Sequence, residues 1–175
     1  EAVAIRLLDP SKVFLSLESL GFSEASLGEI EKILADDGGL VLVTGPTGAG
    51  KTTTVYSMLE TIGGINRNIV SIEDPVELPI PFARQMNVDT RHGISMSEGL
   101  KAILRMDPDV VFLGEIRDHE TAAIGMHAAA SGKHVFSTLH TRDVCSTITA
   151  LRDRELDDSS LAANLSGIVN QRLVR

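Results

Sequence analysis

Short, mostly apolar runs alternate along this chain with segments whose apolar residues recur every three or four positions. Leu40–Thr44, Ile69–Ile72, Val110–Leu113 and His134–Thr138 are of the first kind. Runs of that length predict strands buried on both faces of a parallel sheet. Ala2–Leu8 alternates as a further strand would, and Arg84–Val88 reads as another short one. The helical segments begin at Ser26, where Glu29 follows at capping-box spacing and Leu27, Ile30 and Leu34 share a face. Gly38 and Gly39 stop that helix. Thr53 to Ile62 carries the stripe Val55, Leu59 and Ile62, and Ser95 with Glu98 predicts a second capping box ahead of Met96, Leu100, Ile103 and Leu104. His119–Ser131, Val144–Arg152 and Ser160–Leu173 complete the predicted helices, and His127 reads as a packing residue in a helix apolar nearly all round. Strands alternating with helices imply right-handed crossovers, hence an α/β fold with a mostly parallel sheet covered on both faces.

One junction in this pattern carries chemistry. Between the strand Leu40–Thr44 and the next helix lies Gly45-Pro46-Thr47-Gly48-Ala49-Gly50-Lys51-Thr52, with Thr53 following. A triphosphate presents many charged oxygens, so its site needs many donors and little side-chain bulk. The glycines let successive backbone N–H groups curl towards the phosphates, and the following helix adds the partial positive charge of its N-terminus. Lys51 supplies a full charge to the β- and γ-phosphates, and the Thr52 hydroxyl is placed to ligate Mg²⁺. At an ordinary glycine frequency of about 7%, a chance match in a chain this long is on the order of one in a hundred. The strand-loop-helix context lowers that further. The loop predicts ATP binding.

Hydrolysis needs a carboxylate beyond the phosphates, to orient the metal or polarise water. Two candidates follow predicted parallel strands, where ligands bind in open α/β sheets. Glu115 follows Val110–Leu113 and Gly114, and Glu73-Asp74-Pro75-Val76-Glu77 follows Ile69–Ile72. Acidic clusters with proline are common in solvated turns, but here two lie at successive strand ends beside a phosphate loop. His140, just past the strand His134–Thr138, reads either as a structural loop histidine or as a residue that senses a γ-phosphate. Arg117 and Asp118 read as a charge pair and a helix N-cap, or as subunit-contact residues.

These segments resemble the type II secretion and type IV pilus ATPases. Ser71-Ile72-Glu73-Asp74-Pro75-Val76-Glu77 is similar to that family's acidic box. Arg105 through Asp118 resembles its atypical Walker B segment, including a glycine, Gly114, before the glutamate. Ser137-Thr138-Leu139-His140-Thr141 resembles its histidine box, and Gln171-Arg172-Leu173-Val174-Arg175 the end of its ATPase core. Four motifs in order cover the chain from about residue 40 to its end. The resemblance extends to Arg6–Gly21, which is similar to the lead-in to that core.

The resemblance implies a RecA-like P-loop ATPase core over residues 26–175, preceded by a lead-in at residues 1–25, with both ends reading as continuing into a longer protein. It implies ATP and Mg²⁺ as cofactors and a homo-hexameric ring at the cytoplasmic face of the inner membrane. Such a ring turns hydrolysis into movement of an inner-membrane platform protein, reaching the membrane only through partners. Glu115 would be the catalytic glutamate, Glu73 and Glu77 the acidic box on the Mg²⁺ and γ-phosphate side, and His140 the sensor. The metal would engage Thr52, Glu73 and Glu115. Three departures stand out. Lys133 occupies the place of a second histidine seven residues before His140, with His134 expected on the opposite face of the strand. Arg142 stands where asparagine is frequent, and no segment matches the domain that supplies arginines to a neighbour, apart from Arg6.

Composition narrows the alternatives. Sixteen basic against twenty-four acidic residues, and only 3% aromatics, disfavour a nucleic-acid translocase built on basic grooves and stacking platforms. Retention of both Lys51 and Glu115 disfavours a module that binds ATP without turnover. The single cysteine, Cys145, excludes an internal disulfide and a four-thiolate zinc site and fits a reducing compartment. No run approaches the roughly 20 apolar residues of a membrane helix.

Overall fold

The central apolar runs do form strands buried on both faces. In the structure, a computed structural model that describes residues 16–36, 38–63 and 67–174, six strands make one sheet: β1 (Gly39–Thr44), β2 (Ile69–Glu73), β3 (Ala83–Asn87), β4 (Val110–Leu113), β5 (His134–Leu139) and β6 (Leu165–Asn170). Their order is β3-β2-β4-β5-β1-β6 and every pairing is parallel. The predicted strand Ala2–Leu8, and Arg6 with it, lie outside the described residues.

Alternate residues of each strand enter two separate cores. Leu40, Leu42, Val70, Ile72, Val111, Leu113 and Val135 pack on one face, beneath α3 (Met96–Leu104), α4 (His119–Ala130), α5 (Val144–Arg152) and α6 (Asp158–Asn164). Val41, Val43, Ile69, Val110, Phe112 and Phe136 pack on the other, beneath α1 (Glu24–Ala35) and α2 (Lys51–Ile62). This two-sided burial is what made the strands read as continuous apolar runs. Because every pairing is parallel, the carboxyl ends of β1, β2, β4 and β5 lie along the same edge of the sheet.

Several local expectations change. Helix α1 starts at Glu24, capped by Ser23, whose hydroxyl accepts from Ser26 N at 3.2 Å; Ser26 is inside the first turn, and Glu29 pairs with Lys32 instead of closing a box. Ser95 caps α3 as expected, accepting from Glu98 N at 3.1 Å, but the Glu98 carboxylate turns to Lys101. Helix α2 begins at Lys51, two residues earlier than its apolar stripe suggests. His127 is exposed rather than packed, because the buried face of α4 runs through Ala122, Met126 and Ala129.

The largest correction is at the end of the chain. The expected helix Ser160–Leu173 breaks after Asn164, and Leu165–Asn170 pairs with β1 as strand β6. Without β6, one whole edge of the deeply buried β1 would leave its peptide groups unpaired. Gly167 permits the arrangement: a Cβ there would lie 2.5 Å from Ile33 Cδ1, so α1 can settle directly onto the strand. Gln171–Val174 follow without regular structure.

Candidate functional site

The loop between β1 and α2 is built on backbone angles that favour glycine. Gly45, Gly48 and Gly50 have φ of 146°, 77° and 80°. Gly45 is also hemmed in, since a Cβ on it would sit 2.3 Å from the Gln171 carbonyl oxygen. Because α2 starts at Lys51, the unpaired N–H groups of its first turn open onto this loop. Lys51 is only 8% exposed. Its ammonium donates to the carbonyls of Gly45 (3.1 Å) and Pro46 (3.0 Å) and lies 3.3 Å from His140 Nδ1. Burial pushes the Lys51 pKa below the usual lysine value, and the negative charges of Glu115 and Glu77 oppose that shift.

A cleft of about 530 Å³ runs from Thr47–Thr53 past Glu73, Asp74, Pro75 and Glu77 to Phe112, Gly114, Glu115, Thr138 and His140. The residues singled out from sequence therefore line one cavity, with Gly45 and Pro46 adjoining it through Lys51. Glu115 is 23% exposed and faces two partners: Arg117 makes a close ion pair with Oε1, and the His140 ring places Nε2 3.7 Å from Oε2. The histidine thus bridges Lys51 and Glu115. Thr52 Oγ1 stands 3.5 Å from Glu77 Oε1, at the limit of a hydrogen bond. Arg117 also reaches back to Asp74 at 3.0 Å, joining the loop after β4 to the turn after β2. Asp118 caps α4, accepting from Thr121 N at 2.8 Å.

Glu73 behaves differently from the other acids. It is 3% exposed and accepts from Tyr56 Oη and Ser71 Oγ at 2.5 Å each and from Gln85 Nε2 at 3.1 Å. Desolvation, reinforced by this bond to Glu73, drives the Tyr56 phenol far above its usual pKa. Gly114 has a structural reason of its own. A Cβ there would press to 3.2 Å from Glu73 Cα and 3.3 Å from the Ile72 carbonyl, so an aspartate would crowd β2. Lys133 and His134 lie at the opposite, amino end of β5. Lys133 pairs with Asp107 at 2.8 Å, and the buried His134 ring packs on Phe136 at 4.6 Å, so neither reaches the cleft.

The model of the type II/IV secretion system protein family matches residues 1–175. The chain belongs to this family. Among family relatives, it is 44% identical to the type II secretion system protein E of Aeromonas hydrophila and 43% identical to the type II secretion system ATPase E of Vibrio cholerae. Each comparison covers all 175 residues here but 35% of the relative, so the chain spans about a third of those proteins. A solved structure of the pilus retraction motor PilT with bound ADP superposes with a TM-score of 0.83 at 36% identity, over 97% of this chain and 50% of that one. The RecA-like parallel architecture expected from the motifs is thus the family's fold.

Sequence reasoning missed two contributors to the site. Tyr56 was hidden because its position in α2 reads as ordinary core. Gln171 falls inside the expected helix Ser160–Leu173; as the residue after β6 it instead donates from Nε2 to Ala49 O at 2.5 Å, inside the phosphate loop.

Proposed function

We propose that this chain is the Mg²⁺-ATP-hydrolysing core of a secretion or pilus motor. The observation that carries the reading is the bridge Lys51–His140–Glu115, which sets a phosphate-facing cation, a polar sensor and a carboxylate around one cleft mouth. The residues fit a nucleoside triphosphate: a glycine-built cradle of the right curvature, a helix N-terminus and one buried ammonium converge on it. They also fit Mg²⁺, which keeps several waters and needs few protein ligands. Thr52 would hold the ion together with the phosphates, and the ion would neutralise charge on the β- and γ-oxygens. Gly45–Thr53 bind and orient the phosphates. Glu115 accepts a proton from, or orients, the attacking water, while His140 holds the γ-phosphate side and Glu77 the metal side next to Thr52. Glu73, with both oxygens already engaged, supports the acidic turn rather than entering the metal's shell.

PilT carries ADP in a solved structure, and the Vibrio cholerae relative is named an ATPase, which supports the same chemistry here. We further propose that the chain works in a homo-hexameric ring on the cytoplasmic side of the inner membrane, with residues 26–175 as the ATPase core and 1–25 as its lead-in, a reading that the kinship to secretion proteins supports. A platform protein of that membrane would be its partner. Among the described residues no helix is long and apolar enough to cross a membrane. Arginines from a neighbouring subunit would complete the site, and their absence from an isolated chain would cost about 10³–10⁵ in rate.

The deciding experiment measures nucleotide binding and single-turnover hydrolysis on Lys51→Ala and Glu115→Gln. Lys51→Ala should lose binding, and Glu115→Gln should bind ATP yet fail to cleave it. Parental turnover by Glu115→Gln would overturn the assignment of the carboxylate.

A further inference from the structure

We propose that Gln171 is a positioning residue for the phosphate loop, reaching it from the end of the last strand. The inference rests on the nucleotide reading above and gives a place in that site to a residue outside the phosphate loop, the acidic turn and the segments that carry Glu115 and His140.

The geometry begins with β6. Where it ends, its backbone stays bound to β1: Gln171 N donates to Thr44 O at 2.9 Å, one residue before the phosphate loop starts. The Gln171 carbonyl occupies the space that a side chain on Gly45 would need. Its side chain then crosses beneath the loop, and Nε2 donates to Ala49 O. The orientation of the carboxamide is determined by this contact, because the flipped form would set two carbonyl oxygens against each other. Oε1 is buried and accepts no hydrogen bond, so the carboxamide is spent on Ala49 alone. The preceding residue ties a third element, with Asn170 Nδ2 donating to Thr44 Oγ1 at 2.8 Å and to Thr141 O at 3.3 Å, next to His140.

The consequence lies in the Ala49–Gly50 peptide. A trans peptide carries its C=O and N–H on opposite sides, and the one cis bond among the described residues is Asp74–Pro75. Holding Ala49 O on the Gln171 side therefore turns the Gly50 N–H the other way, towards the cleft. Gly50, with φ of 80° and no Cβ, is a residue whose peptide rotates at little steric cost. Something outside the loop has to choose its orientation. Gln171 does so, and it makes phosphate affinity depend on where β6 ends.

The test compares Gln171→Leu and Gln171→Glu with the parental 175-residue chain, using ADP and inorganic pyrophosphate as ligands and the unliganded melting temperature as a control. Gln171→Leu keeps the bulk but loses the donor. It should raise the Kd for both ligands by about 3–10-fold, the usual worth of one hydrogen bond. Gln171→Glu places a carboxylate against Ala49 O at neutral pH and should bind still more weakly. Its affinity should recover towards parental as pH falls and the protonated carboxyl regains a donor, whereas Gln171→Leu should show no such recovery. A purely structural glutamine would lower the melting temperature and leave both Kd values at the parental level well below it; that result, or a pH-independent Gln171→Glu, overturns the proposal. If the parental chain bound neither ligand, the nucleotide reading itself would fall and this inference with it. Parental binding with an unmoved Gln171→Leu would remove only the tie.

Discussion

Glu73 and Glu115 stand at the ends of neighbouring parallel strands, and in sequence they look like two versions of one feature. Their surroundings separate them. Glu73 is sealed under α2 with three donors on its two oxygens, whereas Glu115 is partly open, balanced between Arg117 and His140 at the cleft mouth. A buried carboxylate with a donor already on each oxygen has fewer lone pairs left to offer a metal or a water. One that is partly solvated, with movable partners, can exchange them. Proximity to the phosphate loop is shared by both acids, so what separates them is how their lone pairs are already used.

The sharpest break of this comparison is kinetic. Glu115→Gln should lower single-turnover hydrolysis by about 10²–10⁴-fold, the range for removing a positioned acid or base, with little change in denaturant midpoint. Next comes stability. Glu73→Ala strands the hydroxyls of Tyr56 and Ser71 and the Gln85 amide in a dry site, and urea unfolding should show a loss of about 2–5 kcal/mol. Equal stability losses for the two glutamates would erase the distinction. Tyr56→Phe removes one donor to a charged acceptor and should cost about 1.5–3 kcal/mol, read by the same unfolding curves. Arg117→Ala opens an exposed pair and should cost no more than about 1 kcal/mol.

The fold was legible wherever burial was two-sided. Leu40–Thr44, followed by a glycine-rich loop, and Val110–Leu113, followed by Gly114 and Glu115, read as buried strands, and the site inherits its location from the strand ends. Legibility failed where tertiary context overrides a local pattern. Leu161, Leu165 and Ile168 fall at helical spacing, and only the open edge of β1 turns the later two into a strand; Gly167 and the β-branched pair Ile168-Val169 were the available signals. Gln171 was beyond reach for the same reason, since its target in the loop is 122 residues away. The division between Glu73 and Glu115 was likewise invisible, because Tyr56 and Gln85 come from α2 and β3 and nothing in their spacing announces a shared partner.

The smallest expected effect separates the two acids by charge alone. Lys51 already sits below its ordinary pKa because it is buried, and Glu115 and Glu77 pull it back up, whereas the Glu73 oxygens are taken by Tyr56, Ser71 and Gln85. Phosphate binding requires the ammonium form, so affinity for ADP should fade on the alkaline side, starting below the pH at which a solvated lysine would lose its proton. Removing a neighbouring negative charge favours the neutral amine. Glu115→Gln should therefore move this alkaline fading to lower pH, while Glu73→Gln should leave it in place. Binding phosphate should raise the Lys51 pKa again, so calorimetry in buffers of different ionisation enthalpy should register proton uptake on ADP binding in that alkaline window. Matching shifts in the two variants would mean that Lys51 feels both carboxylates alike, and the contrast between a sealed and an open acid would then lose its electrostatic half.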